Sequence, residues 1–376
     1  MPLTAYSRRF AAELDLEQWL SRVIRTDSID DRLRGEAAAD LECPSCAARG
    51  AILVSAGVSK RTQRRVRQGT FRFVASNGGD AHHPLCDFAG LDDSASGSAA
   101  LVDFQSPKDW LTRDIRRLVC AGLQVGAFTQ VDMRAMRLWF LEARKASQTT
   151  LTLDPHVPRI LSDVWKWHGM VSRVPFAPSH GDIPGFNWRA AARADVLAPF
   201  HPVIEAIIKR RQWPREDIAS AASSLLKKSR GVATFDASVL SEQFDQAERL
   251  IDFMISNYAL LEFSRRRRGS KVDMARQPPC YALASLLLFV SDWDLSAAAD
   301  RFTRLAAVSE VDELAGNLIG LNPFSDLLPI GLIKLLQEHE PAIDPSFDLK
   351  ATVDAQEATL KASYQSWVDA GRPEHR

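Results

Sequence analysis

Cys43-Pro44-Ser45-Cys46 and, beyond a run rich in strand formers, His82-His83-Pro84-Leu85-Cys86 are the stretches on which the reading of this chain turns. Two thiolates at C-x-x-C spacing can grip one tetrahedral ion from a tight turn, and a second pair of ligands must then arrive from elsewhere in the chain. Cys86 supplies one of that pair. The other is a histidine: His83 repeats the spacing of the first knuckle and is preferred, while His82 would give H-x-x-x-C. The expected set is therefore Cys43, Cys46, His83 and Cys86, with His82 as the alternative to His83. Four ligands close the coordination shell, which points to a structural Zn2+ and not to a catalytic ion with an open position. Glu42 adjoins the first ligand but lies in no H-x-E or H-E-x-x-H setting. A thioredoxin-like redox pair would follow a strand and open a helix. Here Gly50 and strand formers come next.

Between the two ligand pairs, Ala51-Ile52-Leu53-Val54-Ser55 and Thr70-Phe71-Arg72-Phe73-Val74 are rich in β-branched and aromatic residues, with Gly50, Gly57 and Gly69 at their flanks. They read as the two arms of a β-hairpin. In general layout, a hairpin between two metal knuckles resembles a zinc ribbon, a likeness confined to Cys43 through Cys86. Phe71 and Phe73, spaced by two, share one face and are expected in a core, although aromatics near a basic loop can stack on bases.

Charge is the second signal. Lys+Arg and Asp+Glu stand at 47 each, so the chain as a whole does not attract polyanions, and any such binding must come from local clustering. From residue 43 to residue 79 there is no acidic side chain. The same stretch carries Arg49, Lys60, Arg61, Arg64, Arg65, Arg67 and Arg72. Guanidinium forks pair bidentately with phosphate oxygens, so Lys60, Arg61, Arg64, Arg65, Arg67 and Arg72 are the expected nucleic-acid contacts. The bland alternative is a solvated loop. A second cluster, Arg265 to Arg268 with Lys271, follows a long helical pattern, where the helix dipole alone favours cations.

Outside this segment the periodicity is helical. Leu16, Trp19, Leu20 and Val23 recur at helical spacing, and residues 1–40 are expected to form an N-terminal helical segment. Ser106-Pro107 reads as a cap and first turn, with Gly122 just past the helix end. A second helix is expected over 131–145, with Met136, Trp139, Phe140 and Ala143 facing the core. Further helices are expected at 157–168, 201–211, 214–228, 239–263, 281–290, 296–308, 325–337 and 349–370. Strand signals are almost absent after Val102, and no solenoid period is visible. The fold class expected is mainly α: a multi-helix body with a small N-terminal β-hairpin zinc-binding module. The expected division is 1–40, the module at 41–91, a linker at 92–104, and the body at 105–376 with a further break near 264–279.

Several function classes find no support. No P-loop or dinucleotide fingerprint can be read. The most hydrophobic run, 281–290, is roughly half of the ~20 residues that cross a bilayer, so a buried helix is expected and no membrane partner. The first ten residues lack the apolar core of a signal peptide, and five cysteines with Cys120 and Cys280 isolated do not form a disulfide scaffold. A cytoplasmic home is the expectation. Ser179-His180-Gly181-Asp182 collects three catalytic residue types in an irregular proline-glycine stretch, but adjacency in sequence is not triad geometry. No catalytic residue is assigned. The leading expectation is a zinc-containing, non-enzymatic accessory or regulatory protein that contacts DNA or RNA. One alternative is a protein-interaction scaffold acting through the helical body with purely architectural zinc. Another is a hydrolase or nuclease near His180 and Asp182.

Overall fold

The computed structural model describes residues 2–23, 30–55, 57–58, 65–67, 69–89, 110–170, 174–258, 278–311, 318–339 and 346–373. The expected linker at 92–104, the expected break near 264–279 up to residue 277, and the second basic cluster, Arg265 to Arg268 with Lys271, lie outside them. The chain forms two compact units, each assembled from two stretches: Met1–Ser147 with Val239–Ser325, and Gln148–Ser238 with Asp326–Arg376. The fold is mainly helical with small antiparallel sheets.

The first unit opens on strands, which corrects the all-helical reading of residues 1–40. Thr4–Ser7 (β1) pairs antiparallel with Ala12–Asp15 (β2), followed directly by Leu16–Val23 (α1). Asp15 and Gln18 cap α1 reciprocally, each side chain accepting the other's backbone N–H at 2.8 and 3.0 Å. Asp31–Asp40 (α2) is capped by Asp30 and leads into Leu41–Glu42 (β3), which adds to the other edge of β1. The strands escaped the sequence pattern because they are short and bury Ser7 and Glu13, polar residues that break the alternation.

The hairpin is where it was expected. Ala51–Val54 (β4) pairs antiparallel with Thr70–Phe73 (β7), placing Ala51 opposite Phe73 and Ile52 opposite Arg72. Alternation turns Phe71 and Phe73 into the core and Ile52 and Arg72 to solvent. Gly57–Val58 (β5) and Arg65–Arg67 (β6) form a second pair in the connecting segment, with an irregularity at Gly57/Val58.

Trp110–Gln124 (α3) runs through Gly122, which was expected just beyond the helix end. Glycine at this helical position leaves room for a neighbour, since a Cβ there would come within 2.4 Å of the buried Phe128 ring. Gln130–Ala146 (α4) follows from a capping box between Thr129 and Asp132.

The second unit begins with Gln148–Thr150 (β8) and Val157–Trp167 (α5). Trp188–Leu197 (α6), His201–Arg210 (α7), Glu216–Ser229 (α8) and Ala233–Phe235 (β9) follow, with β9 pairing antiparallel to β8. The sequence reading lacked α6, whose alanine-rich Trp188-Arg-Ala-Ala-Ala-Arg-Ala run has no strong apolar stripe. It also lacked β8 and β9, which are three residues each.

The chain returns to the first unit with Ser241–Asn257 (α9), Pro278–Phe289 (α10) and Leu295–Ala306 (α11). α10 is buried all round from Pro279 to Leu288, as its uniform hydrophobicity requires. Leu327–His339 (α12) and Leu349–Asp369 (α13) complete the second unit. Its core joins Leu161, Ile207, Leu226 and Leu336 from α5, α7, α8 and α12, while α13 packs along α6. No helix among the described residues is long and apolar enough to cross a membrane.

Candidate metal centre

Four ligand atoms converge at one end of the β4–β7 hairpin. Cys43 and Cys46 come from the turn after β3, and His82 and Cys86 from the segment after β7, with all four atoms within 4.8 Å of one another. Cys43 Sγ lies 3.8 Å from Cys86 Sγ, and His82 Nδ1 lies 3.5 Å from Cys46 Sγ and 3.7 Å from Cys86 Sγ. A tetrahedral ion with metal–sulfur bonds of about 2.3 Å and metal–nitrogen bonds of about 2.0–2.1 Å demands S···S edges of about 3.8 Å and S···N edges of about 3.6 Å. These three separations match edges of such a tetrahedron, and the Cys3His donor set is compatible with Zn2+.

Local backbone geometry aims these atoms. The first knuckle closes with Ala47 N–H donating to Cys43 O at 3.0 Å and Cys43 N–H to Ala48 O at 2.8 Å. The second closes with Cys86 N–H donating to His83 O at 2.8 Å, and Phe88 N–H donates to Cys86 Sγ at 3.4 Å. This second turn decides between the histidines. His83 begins it and spends its Nδ1 accepting from Leu85 N–H at 3.1 Å. His82, one residue earlier, brings its ring to the thiols between Phe73 and Phe88, at centroid distances of 5.3 and 6.1 Å. The preference for His83, drawn from spacing alone, is corrected to His82. The spacing carries no record of the Leu85 N–H contact that occupies the His83 ring.

Without a cation the three thiols share charge unequally. Burial, reinforced by contact with Cys46 and Cys86, holds the Cys43 thiol well above its ordinary pKa. Cys46 is drawn down by contacts from Cys43, Cys86 and His82. Cys86 is pulled down by Cys43, but contact with Cys46 and burial outweigh this and push it up to about 12. A divalent cation held by Cys43, Cys46, His82 and Cys86 would keep all three thiols as thiolates and release protons on binding.

The cluster is fastened to α4 by a row of arginines on one helix face. Arg134 pairs with Glu42, beside the first ligand, and lies over the Tyr6 ring at 4.0 Å. Arg137 makes a fully buried ion pair with Glu13 at 2.7 Å and donates to Ile319 O at 2.8 Å. Arg144 donates to Leu85 O at 2.6 Å and to Asp87 Oδ1 at 2.7 Å, so it grips both sides of Cys86 in sequence. Positions 134, 137 and 144 repeat at helical spacing, which puts all three guanidiniums on the same side. Glu42 also meets Arg8 and Arg49 at 3.4 and 3.0 Å, so three guanidiniums engage its carboxylate. Gly320, at φ +76°, completes the seat: a Cβ there would come within 2.8 Å of Asp87 Oδ2 and 2.9 Å of Ser45 Oγ.

The other sequence-picked residues divide. Arg72 is exposed on β7 opposite Ile52. Arg65 and Arg67 belong to the β6 backbone, while Lys60, Arg61 and Arg64 lie outside the described residues. In the second unit, His180 Nδ1 accepts from Ala177 N–H at 3.2 Å and closes a single 3-10 turn. Asp182 accepts from Tyr364 Oη at 3.0 Å and from Arg372 at 3.1 Å, tethering the end of α13. Both are engaged in local structure. No protein-family model, curated protein or solved structure matches this chain.

Proposed function

We propose that the Cys3His cluster is a structural Zn2+ site closing a zinc-ribbon-like module, and that this module presents a basic hairpin to nucleic-acid phosphates. The chain is then a non-enzymatic accessory or regulatory protein of DNA or RNA handling. The observation that carries the reading is a Cys3His cluster at one end of a hairpin whose sequence holds cations and no acids from residue 43 to 79. Metal and ladder stiffen the stem, so less freedom is lost when arginines dock. Phe71 and Phe73 are buried, so the contact runs through phosphates and not through base stacking from these rings. Such binding is insensitive to sequence and steep in salt.

The test is fluorescence anisotropy of the zinc-loaded chain with single- and double-stranded DNA and RNA over a salt series. Replacing Arg61, Arg64, Arg65 and Arg67 with serine should weaken binding to every sequence and flatten its salt dependence. Wild-type affinity in that variant, or no binding at low salt, overturns the nucleic-acid role. Metal analysis of the same preparation tests the zinc assignment separately: about one zinc per chain is expected, and its absence overturns the metal assignment.

A further inference from the structure

A cleft of about 550 Å³ opens in the second unit between α5, α6 and the start of α13. Its apolar lining comes from Trp167, Leu197, Phe347 and Val353. Its volume lies in the range of sites for small organic molecules, and its lining divides evenly between apolar side chains, Leu349 included, and charged ones. What distinguishes this cleft is its charge accounting. Asp163 on the rim is paired with Lys166 at 2.9 Å, and Asp348 accepts Ala351 N–H at 3.0 Å as the cap of α13. Arg189 is held by Asp354 and Glu357, at 2.7 and 3.6 Å. Arg193 and Lys350 remain. Both line the cleft, and neither has a carboxylate within ion-pairing distance among the described residues. Arg193 is half-buried and stacks on the Trp167 ring, its Cζ 4.1 Å from the centroid. Stacking holds the guanidinium plane while its N–H edge stays available to an anion.

We infer that this cleft binds a small organic anion: a planar or apolar body against Trp167 and Phe347, with a carboxylate or phosphate between Arg193 and Lys350. The site lies in the second unit and does not depend on the metal centre or the basic hairpin. Titration calorimetry of the full chain with indole-3-acetate, adenosine 5′-monophosphate and neutral indole tests it. At least one of the two anions should bind once per chain, and which one does separates a carboxylate from a phosphate ligand. Indole should bind about tenfold more weakly or less, the worth of one charge-assisted contact. Arg193→Gln and Lys350→Gln should each weaken the anion about tenfold with an unchanged circular dichroism spectrum. Lys350 is exposed, so its variant carries the test should Arg193→Gln misfold. Failure of both anions to bind, indole binding as tightly as they do, or wild-type affinity in the folded variants overturns the inference.

Discussion

Two adjacent histidines with one ring turned to the thiols make the residue scale decisive. His82→Ala is expected to remove a ligand and lower zinc content, whereas His83→Ala should retain the metal and lose only a turn contact. Metal analysis after dialysis separates the two, and equal zinc in both variants would contradict the geometry. Asp40 gives a pH prediction at the same scale. Burial pushes its carboxyl upward, but hydrogen bonds from Ser7 Oγ, Trp19 Nε1 and Arg9 N–H, at 2.6, 2.9 and 2.7 Å, outweigh it and hold the pKa below the usual carboxylate value. A depressed folded-state pKa contributes stability that is present above the unfolded value, about 3.9, and is lost as pH falls through the folded one. Asp40→Asn should therefore lower stability at neutral pH by about 1–3 kcal/mol, with the gap to wild type closing below about pH 4. Urea unfolding at pH 7 and pH 3 measures both ends.

At the scale of elements, α4 is the strut on which the metal centre rests. Arg137 and Glu13 are buried together, so removing one alone strands the other charge. Arg137→Met should cost about 3–5 kcal/mol, and adding Glu13→Gln should recover part of that loss. A double-mutant cycle in urea checks the sign, and additive losses would refute the coupling. Two helical glycines make a matched pair. Alanine is the better helix former by about 1 kcal/mol, and Gly35 in α2 has nothing within 4 Å of a built Cβ, so Gly35→Ala should raise Tm. Gly122→Ala meets the buried Phe128 ring, and overpacking of about 1–3 kcal/mol should lower Tm despite the same propensity gain.

For the whole molecule, the Cys3His cluster lies within one unit. Stripping zinc with a chelator should lower the unfolding temperature of the unit built from Met1–Ser147 and Val239–Ser325 and leave that of the other unchanged. Calorimetric scans with and without chelator should then show one transition move. Two shifted transitions, or none, would contradict the assignment.

Sequence by itself determined the class of structure and most of the metal set. Helical periodicity marked most of the helices, β-branched and aromatic runs marked the arms of β4 and β7, and C-x-x-C with a downstream cysteine marked three of four ligands. These are local properties, written in residues a few positions apart. Tertiary structure decided the rest. It brought the His82 ring to the thiols, while His83 Nδ1 accepts from Leu85 N–H in the Cys86 turn. It made strands of Thr4–Ser7 and Ala12–Asp15, whose buried Ser7 and Glu13 find partners in Asp40 and Arg137 from distant helices as well as in neighbouring residues. It carried α3 through Gly122, packed Phe128 against that glycine, and gathered Arg193, Lys350 and Trp167 around one cleft. Each of these outcomes depends on a partner far along the chain, and single-sequence periodicity holds no record of such partners.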